Sequence, residues 1–579
     1  MKLTDYITAQ LEECGVDCVF GYQGGNIAHL IDSLDKSEKI RFVTTYNEQG
    51  ASFAACGYAY ATGGIGVAVA SSGPGAINLV QGVANAYYDS IPCVFITGNV
   101  AQRTMKGDRV VRQNAFQEND IITMVKSVTK YAVTVRNPEK IGYYLEKAIF
   151  LAQNGRPGPV LLDLPHDVQK SEIIPEALSG YTPQGDTPCS DKESLVEKAV
   201  HCFCTAARPL VVVGGGAISQ KARVQIRHLQ EQGKIPVVAT LRGLDVVPHD
   251  MPTFIGFAGA YGNRYANLAL HYCDTVLVLG ARMDERFVSE QDRSLMCGKT
   301  LIHVDVDEAE LGHACRETLS IHETVEEFLD RFLPEVNEKF VRNRWNEVLL
   351  NWKERYSSIE CGKASHLNDI VRLLTMEADP DTLFYADVGL NQMCVAQAAY
   401  IRNEQRLFMS AGHGAMGFAL PAAIGGALAC KAKNVVCFVG DGALHMNIQE
   451  LLMLSHHMLP VHIVLFNNKS LGMIRDYQKK AFNSRFAGTA DDFHEIDYEA
   501  IAKAYGLEYL RIDDQKELTQ ACKMLTQKSP CLIDIRLPED INAFPEVGIS
   551  FLQQNPPLEP QQLQLIEEEV RACQNIISW

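Results

Sequence analysis

Long apolar runs are absent from the sequence. Nowhere do its 579 residues contain the roughly 18 consecutive apolar residues of a membrane span. The paired C-x-x-C spacing of a zinc site is also absent, although the chain has 17 cysteines. Cys202 and Cys204 come closest to it, and a core position explains them better than a metal ligand. Because residues 1–5 show no secretory signal, we expect reduced thiols and a cytoplasmic protein.

Positive net charge and low-complexity sequence are lacking too. The formal net charge is −17, the opposite of the basic surface that binds nucleic acids or anionic membranes, so we expect neither as a partner. Apolar residues make up 47% and charged residues 21% of the chain, as in ordinary α/β proteins. A chain of this length is expected to divide into several domains.

Short buried strands that alternate with helices indicate an α/β fold of parallel sheets. The predicted domains span residues 1–175, 190–335 and 366–540, and a tail spans 541–579. A turn-rich linker is predicted at 179–188, and a charged helical segment at 335–365 joins the later domains. We expect the tail to be helical from Leu563 and to cover a surface. The predicted strands of the first two domains are 19–20, 41–43, 67–69, 93–96, 210–213, 237–239, 275–279 and 301–304.

Residues 435–468 have the pattern of a metal and diphosphate site. A predicted strand at 435–439 leads into Asp441 and Gly442, a helix is predicted at 443–459, and a strand at 461–466 leads to Asn468. Asp441 and Asn468 would then lie at the ends of neighbouring strands, where oxygen ligands suit Mg²⁺ together with substrate phosphates. Glycine permits close backbone approach, and a helix N-terminus attracts anions. The alternative is an ordinary Asp-Gly turn in a βαβ unit.

Six further segments match the motifs of one enzyme family in the right order. They are residues 46–51, 71–76, 114–118, 280–286, 414–417 and 471–473. With the metal motif, they resemble the thiamine diphosphate-dependent enzymes over most of the chain, in particular the acetolactate synthases. The resemblance implies three Rossmann-like parallel-sheet domains that are pyrimidine-binding, central and diphosphate-binding in chain order. It also implies thiamine diphosphate and Mg²⁺ as cofactors.

Glu48 matches the family's catalytic glutamate. The thiazolium C2 must lose a proton to the cofactor's own 4′-amino group, which requires a carboxylate at the pyrimidine N1′. Taken alone, Glu48 is equally a favourable first-turn acid of a helix. In the family this glutamate meets the metal site across a subunit boundary. The resemblance therefore implies a homodimer or homotetramer with shared sites, and a regulatory subunit is a further candidate partner.

The resemblance also supplies the remaining cofactor contacts. Met416 matches an apolar wedge that bends the cofactor, although a methionine there also serves to fill a core. The implied metal ligands are Asp441, Asn468 and the carbonyl oxygen of Ser470. The expected cofactor contacts are Gly24, Gly25, Glu48, Pro74, Asn78, Gly389, Asn391, Gly414, Met416, Asp441, Gly442, Ala443, Asn468, Ser470, Leu471, Gly472 and Met473.

Residues on the acceptor side favour a second 2-keto acid. Phe116 and Gln117 match acceptor-side positions, and the guanidinium of Arg286 suits a carboxylate. An ion pair of Arg286 with Asp284 or Glu285 is the alternative. The implied activity is that of a transferase. It decarboxylates pyruvate and joins the acetyl unit to a second 2-keto acid to give 2-acetolactate, as in branched-chain amino acid biosynthesis.

Departures from the family pattern leave the acceptor open. Gln23 replaces a proline, Tyr477 replaces a tryptophan, and His413 and His445 are unusual. His413 is either a proton donor near the site or a structural histidine. With these departures, residues 107–113 resemble family members that transfer the acetyl unit to another ketone, such as a nucleotide-linked keto sugar. A non-catalytic cofactor-binding paralogue is the third interpretation, and the retained catalytic and metal-site residues argue against it.

The central unit resembles the family's FAD-binding domain. The matching residues are Gly214, Gly215, Gly216, Thr240, Leu241, Arg282 and Asp305. A glycine-rich turn after a strand also occurs in Rossmann-like units that bind nothing. Arg242 replaces a common methionine, and residues 260–262 replace a Met-His-Gly. FAD, as a structural rather than a redox cofactor, and an empty unit both remain open.

Overall fold

Three parallel sheets, each with six strands, form the framework of the part of the chain that the structure describes. The computed structural model describes residues 1–183, 192–314, 316–339, 344–357, 366–431, 433–491, 493–546, 548 and 550–574. The strands are β1 (Cys18–Gly21), β2 (Arg41–Thr44), β3 (Gly66–Ala70), β4 (Cys93–Asn99), β5 (Tyr131–Thr134), β6 (Val160–Pro165), β7 (Pro209–Val213), β8 (Val237–Ala239), β9 (Phe254–Phe257), β10 (Thr275–Leu279), β11 (Thr300–Asp305), β12 (Leu319–His322), β13 (Leu383–Ala386), β14 (Arg406–Met409), β15 (Val435–Gly440), β16 (Val461–Asn467), β17 (Glu508–Ile512) and β18 (Cys531–Arg536). The α/β prediction is confirmed.

Helices connect the strands. They are α1 (Leu3–Glu13), α2 (Ala28–Asp35), α3 (Glu48–Thr62), α4 (Pro74–Tyr88), α5 (Ile121–Val125), α6 (Ile141–Gln153), α7 (His166–Gln169), α8 (Lys192–Cys204), α9 (Gln220–Gly233), α10 (Arg264–Tyr272), α11 (Glu290–Cys297), α12 (Val325–Lys339), α13 (Trp345–Tyr356), α14 (His366–Glu377), α15 (Leu390–Ala398), α16 (Ala419–Ala429), α17 (Asp441–Leu444), α18 (Leu451–His456), α19 (Gly472–Ala481), α20 (Tyr498–Ala504), α21 (Leu518–Met524) and α22 (Pro560–Gln574). None of the helices in the described residues combines the length and apolar character that crossing a bilayer requires.

The first and third sheets have the same strand order. The first runs β2-β1-β3-β4-β6-β5 and the third runs β14-β13-β15-β16-β18-β17. An asparagine–aspartate hydrogen bond also occurs at the same place in both sheets. Asn99 at the end of β4 donates to Asp163 on β6 at 2.9 Å, and Asn467 at the end of β16 donates to Asp534 on β18 at 3.0 Å. The two outer units therefore share one topology.

The central sheet has a different order, β9-β8-β7-β10-β11-β12. This is the order of dinucleotide-binding Rossmann folds, in which the strand order reverses between the first and fourth strands. Here that point lies between β7 and β10. Ligands of such folds occupy the crevice beyond the carboxyl ends of the strands at the reversal.

The predicted helix at 443–459 is wrong. A short helix, α17, begins at Asp441, a 3₁₀ segment covers His445–Glu450, and α18 follows. Asn447 leaves helical geometry with φ −139°, and its buried amide donates to the Gly417 carbonyl at 2.8 Å. A hydrogen bond to a distant loop thus replaces the regular helical pattern.

The outer units pack on each other through α3 and α16. An added Cβ at Gly57 of α3 would overlap the carbonyl oxygen of Ala422 in α16, so the two helix backbones are nearly in contact. Side chains of both helices belong to one apolar core, which includes Phe53 and Phe418 with ring centroids 5.4 Å apart. The units are therefore held at a fixed separation.

Helix α13, which follows the central sheet, packs against helix α22 of the tail. Trp345 and Trp352 of α13 are fully buried in a core that also contains Ile566 and Val570 of α22. Trp352 Nε1 donates to Glu569 at 2.7 Å. The tail covers a surface as expected, although its helix begins at Pro560. The predicted linker at 179–188 and the segment at 335–365 lie partly outside the described residues.

Candidate active site

The strand order of each outer sheet opens a crevice. In the first sheet β1 has β2 on one side and β3 on the other, and α/β folds bind ligands beyond the carboxyl ends of strands at such a point. Gly24 follows β1 and Ser71 follows β3, and an added Cβ at Gly24 would be 2.5 Å from Ser71 Cβ. The corresponding point of the third sheet lies between β13 and β15.

Glu48 is the first residue of α3, where Asn47 caps the helix. Its Oε2 accepts a hydrogen bond from Asn78 Nδ2 at 3.0 Å. Asn78 lies one turn into α4, which starts at Pro74, and an added Cβ at Gly75 would be 2.8 Å from Glu48 Oε1. The structure therefore brings Glu48, Pro74 and Asn78 together, as the cofactor prediction requires of this unit.

Asp441 and Asn468 follow the adjacent strands β15 and β16. Asp441 is only 1% exposed, and its Oδ2 accepts the N–H of Lys469 at 2.7 Å. Burial raises the pKa of Asp441 to about 6. The side chain of Asn467 is hydrogen-bonded to Asp534. Asn468 is therefore the better candidate for a ligand contact.

The residues at this end fit a magnesium ion. Ser470 is buried, and its Oγ has no hydrogen-bond partner among the described residues. Carboxylate, amide and serine oxygens are hard donors of the kind that Mg²⁺ prefers. In the described part of the chain, no three His, Cys, Asp or Glu side chains cluster as a metal site. Phosphate oxygens would therefore have to complete the coordination.

The glycines of the diphosphate motif have different surroundings. An added Cβ at Gly442 would overlap Leu471 Cδ2, so this glycine makes room for the Leu471 side chain. The N–H of Leu471 donates to the Thr489 carbonyl at 3.2 Å. Gly472 is the first residue of α19. The N–H groups of Gly472 and Met473 consequently lack partners within the helix, which suits a phosphate.

Asp387 has a role that sequence reasoning did not identify. Its buried carboxylate accepts the N–H of Gly417 at 3.0 Å and of Ala419 at 2.8 Å. Burial raises its pKa to about 6. Asp387 thereby fixes the loop of Met416, whose Cε would be 3.6 Å from an added Cβ at Gly442. The wedge candidate therefore lies over the diphosphate motif.

Two left-handed glycines shape the same crevice. Gly389 has φ +109° and Gly414 has φ +68°, backbone conformations that favour glycine. Asn391 is buried and donates to the Asp387 carbonyl at 2.7 Å. Its Oδ1 would be 3.5 Å from an added Cβ at Gly440. Asn391 therefore stands between the ends of β13 and β15.

Both unusual histidines have protein partners. His413 stacks on Tyr88 of α4 with centroids 5.6 Å apart and planes 9° apart. Asp89 holds the same loop by accepting the N–H of Gly412 at 2.7 Å. These contacts favour the structural interpretation of His413. His445 Nε2 is 3.1 Å from the Tyr498 hydroxyl, and burial lowers the pKa of its imidazole.

The acceptor-side residues lie in separate places. Phe116 is 85% exposed, and Gln117 has φ +62° beside Gly73 of the first unit. Arg286 instead lines a cavity of the central unit. Asp284 pairs with the guanidinium of Arg282 at 3.3 Å, and from Arg286 it accepts only the backbone N–H, at 3.2 Å, among the described contacts.

The other two departures lie at the surface. Tyr477 of α19 is 58% exposed and meets the ring of Phe482 edge-on, with centroids 5.6 Å apart. Gln23 is exposed, and its Oε1 accepts the N–H of Gly24 at 3.0 Å. Neither side chain is enclosed within the described chain.

The central cavity has a volume of about 780 Å³ and lies where the strand order of the central sheet reverses. All residues predicted to contact FAD line it except Gly214. An added Cβ at Gly214 would overlap Ala281, so this glycine serves packing of the two turns. The cavity is large enough for a dinucleotide, and its position is that of a dinucleotide site.

Arg242 forms part of the cavity wall. Its guanidinium lies 4.4 Å from the ring centroid of Tyr60, and Tyr60 stacks on Phe408 at 5.1 Å. The Arg406 guanidinium lies 5.1 Å from the ring centroid of Phe408 and pairs with Asp245 at 2.6 Å. Side chains from all three units thus form one stack, which leaves the cavity open beside it.

Comparison with known proteins agrees with this architecture. Residues 1–124 match the family described as thiamine pyrophosphate enzyme, N-terminal TPP binding domain. Residues 196–332 match its central domain, and residues 387–535 match its C-terminal TPP binding domain. The three matches contain, in the same order, most of each of the three sheets described above.

Acetolactate synthases are similar to the chain over nearly its full length. The large subunit of Lactococcus lactis subsp. lactis (strain IL1403) is 34% identical over 94% of this chain and 96% of that protein. The isozyme 1 large subunit of Escherichia coli (strain K12) is 34% identical over 94% and 95%. The chloroplastic acetolactate synthase 1 of Zea mays is 34% identical over 94% and 87%. The chain therefore belongs to the acetolactate synthase family of thiamine diphosphate-dependent enzymes.

Proposed function

We propose that the chain decarboxylates pyruvate and joins the acetyl unit to a second 2-keto acid, giving 2-acetolactate. The pair of matching crevices carries this proposal. Glu48 stands at the crevice of the first sheet, while Asp441 and Asn468 stand at that of the third. The relatives named above are acetolactate synthases. Neither a keto-sugar acceptor nor a non-catalytic role is favoured by them.

Each outer unit contributes a different part of the chemistry. Bound thiamine diphosphate supplies the carbon nucleophile and the electron sink of the reaction. Asp441, Asn468 and the Ser470 carbonyl would hold Mg²⁺, and the ion would in turn bind the diphosphate. Glu48 holds a proton at the pyrimidine N1′, which favours the basic form of the neighbouring amino group. Met416 lies beside the diphosphate motif and would pack against the bound cofactor.

The acceptor is selected by residues outside the two crevices. Arg286 binds the carboxylate of the second 2-keto acid through paired N–H groups. Phe116 and Gln117 border the space in which the acceptor approaches. The exposure of Phe116 is consistent with an enclosure that a second chain completes.

A homodimer or homotetramer with shared sites is part of the proposal. Large apolar side chains near the site are exposed, with Tyr46 at 43%, Ile77 at 48% and Met446 at 53%. Such groups are typical of an interface between subunits. Two of the relatives are named large subunits, which supports a smaller regulatory partner.

FAD fits the central cavity as a structural cofactor. Gly215 and Gly216 would lie against it at the end of β7, and Asp305 at the end of β11. The reversal of the sheet provides a crevice for a dinucleotide at this point. Absorbance of the purified protein after denaturation tests for a bound flavin.

Incubation with pyruvate, thiamine diphosphate and Mg²⁺ tests the reaction. Acetolactate should form without another ketone, and acid decarboxylation converts it to acetoin for colorimetric detection. Glu48→Gln should keep its cofactor but release CO₂ about 10²- to 10⁴-fold more slowly. Glu197→Gln, a change at an exposed position of α8, should match the unaltered protein. CO₂ release only with a keto sugar would contradict the proposed acceptor.

A further inference from the structure

A buried carboxylate from the third unit contacts the turn that carries Glu48. Glu450 ends the 3₁₀ segment and is 0% exposed. Its two carboxylate oxygens accept the N–H of Tyr46 at 3.0 and 3.3 Å. The N–H of Asn47 donates to the same carboxylate. Both donors immediately precede Glu48 in the chain.

A glycine makes room for this contact. An added Cβ at Gly50 would be 2.5 Å from Glu450 Oε1 and 2.9 Å from its Cδ. Gly50 lies inside α3, where alanine is the better helix former. Helix propensity therefore does not explain this glycine, whereas the approach of the carboxylate does.

The same 3₁₀ segment is tied to the loop of Met416. Asn447 donates to the Gly417 carbonyl at 2.8 Å, and Gln449 donates to Asn447 Oδ1 at 3.2 Å. An added Cβ at Gly417 would be 2.6 Å from Met446 Cβ. One short segment therefore contacts both the wedge loop and the turn of the proposed catalytic glutamate.

Glu450 is a costly residue for a purely structural contact. Buried carboxylates are unfavourable unless they are paired, and backbone N–H groups and the Gln449 side chain, rather than a cation, meet this one. Burial raises the pKa of Glu450 to about 7. A perturbed carboxyl beside a proposed active site is a candidate for a functional role.

We propose that Glu450 is a positioning residue for the reaction. It fixes the first turn of α3, and this turn directs the Glu48 carboxylate toward the cofactor, which Glu450 itself does not touch. Glu48 is half-buried and bonds to Asn78, so the backbone of its turn sets its direction. This inference rests on the proposed function.

Glu450→Gln tests the inference, because glutamine keeps the shape but exchanges one acceptor oxygen for a donor. Thiamine diphosphate with Mg²⁺ should bind within about twofold of the unaltered protein, as titration calorimetry measures. Exchange of the cofactor's C2 proton for deuterium, followed by NMR, should slow about 10- to 100-fold. Glu197→Gln is the matched control and should change neither value.

A double variant separates positioning from general damage. In a Glu48→Gln background, Glu450→Gln should slow the C2 exchange no further, because the positioned carboxylate is already gone. Equal slowing in both backgrounds, or a loss of cofactor affinity alone, would overturn the inference. If the unaltered protein does not accelerate the exchange, the proposed function fails and the inference fails with it.

Gly50→Ala provides a second route if Glu450→Gln does not fold. Its methyl group would displace the carboxylate and leave every charge in the chain unchanged. The same pattern is expected, with near-normal cofactor affinity and slowed C2 exchange. Normal exchange in Gly50→Ala would overturn the inference.

Discussion

At the scale of single residues, the proposed catalytic glutamate and the proposed metal-binding aspartate have contrasting surroundings. Glu48 is half-buried and bonds to Asn78 at 3.0 Å. Asp441 is almost fully buried, and burial raises its pKa to about 6. A divalent ion would favour the ionised form of Asp441. The contrast fits the proposed roles, in which Glu48 contacts the cofactor and Asp441 binds a metal ion.

Arg286→Lys tests how the acceptor is recognised. Lysine retains the charge but loses the planar pair of donors that suits a carboxylate. Loss of one charge-assisted hydrogen bond should raise the acceptor's KM about tenfold, while CO₂ release slows less. Steady-state kinetics with separate assays of CO₂ and acetolactate measure both effects. Arg511→Lys, at an exposed ion pair with Asp513, is the control, and the reverse order of effects would contradict the role.

The pH dependence of thermal unfolding should reveal Glu450. Its folded pKa of about 7 lies above the ordinary value of 4.5, so the folded chain retains a proton that the unfolded chain has lost. The stability from this group is complete below pH 4.5 and is lost as the pH rises through about 7. In Glu450→Gln this loss is absent.

The Tm of Glu450→Gln relative to the unaltered protein should therefore be higher at pH 8 than at pH 5. Differential scanning fluorimetry without cofactor measures this difference. Because the other buried carboxyls are the same in both proteins, their titration cancels. A difference that stays constant with pH, as expected for the exposed Glu197→Gln, would contradict the raised pKa.

At the scale of elements, the contact between α3 and α16 sets how the outer units meet. Gly57→Ala would force a methyl group into the Ala422 carbonyl. Overpacking against a backbone that cannot retreat should cost about 3 kcal/mol, seen as a fall in Tm and in activity together. Gly64→Ala is the control, because its nearest neighbour would be the Thr62 hydroxyl at 3.4 Å. Equal Tm values for the two variants would contradict the close packing.

The strands were predictable to the extent that they are continuous apolar runs. β7, β10 and β15 read directly from the sequence because their side chains are buried on both faces. By contrast, β6 and β18 were not identified, since each carries an aspartate inside its apolar run. Asp163 and Asp534 are buried there because asparagines of neighbouring strands bond to them. Such pairing cannot be read from one segment alone.

The functional site was predictable where a motif is local. Asp441 and Asn468 follow adjacent strands as their spacing suggested. The role of Glu450 was out of reach because its partner, Tyr46, is 404 positions away. The broken helix after Asp441 has the same cause, since the bond from Asn447 to Gly417 is tertiary. Sequence periodicity carries no information about such contacts.

At the scale of the whole molecule, one architecture occurs twice. The outer sheets share their strand order, and each has a crevice between its corresponding strands. One crevice carries the proposed proton-holding glutamate, and the other carries the proposed metal ligands. Because the two parts of the proposed site stand in different units, both units would have to face one cofactor, and the resemblance to the family implies that they come from different chains.

Complementation between two inactive variants tests the shared site most directly. Glu48→Gln and Asp441→Ala chains are coexpressed with different tags, the mixed dimers are purified, and acetolactate formation from pyruvate is measured. Each mixed dimer would hold one doubly damaged site and one intact site, so the account predicts about half of the unaltered activity per dimer. If the mixed dimers form no more acetolactate than either variant alone, the central claim is wrong.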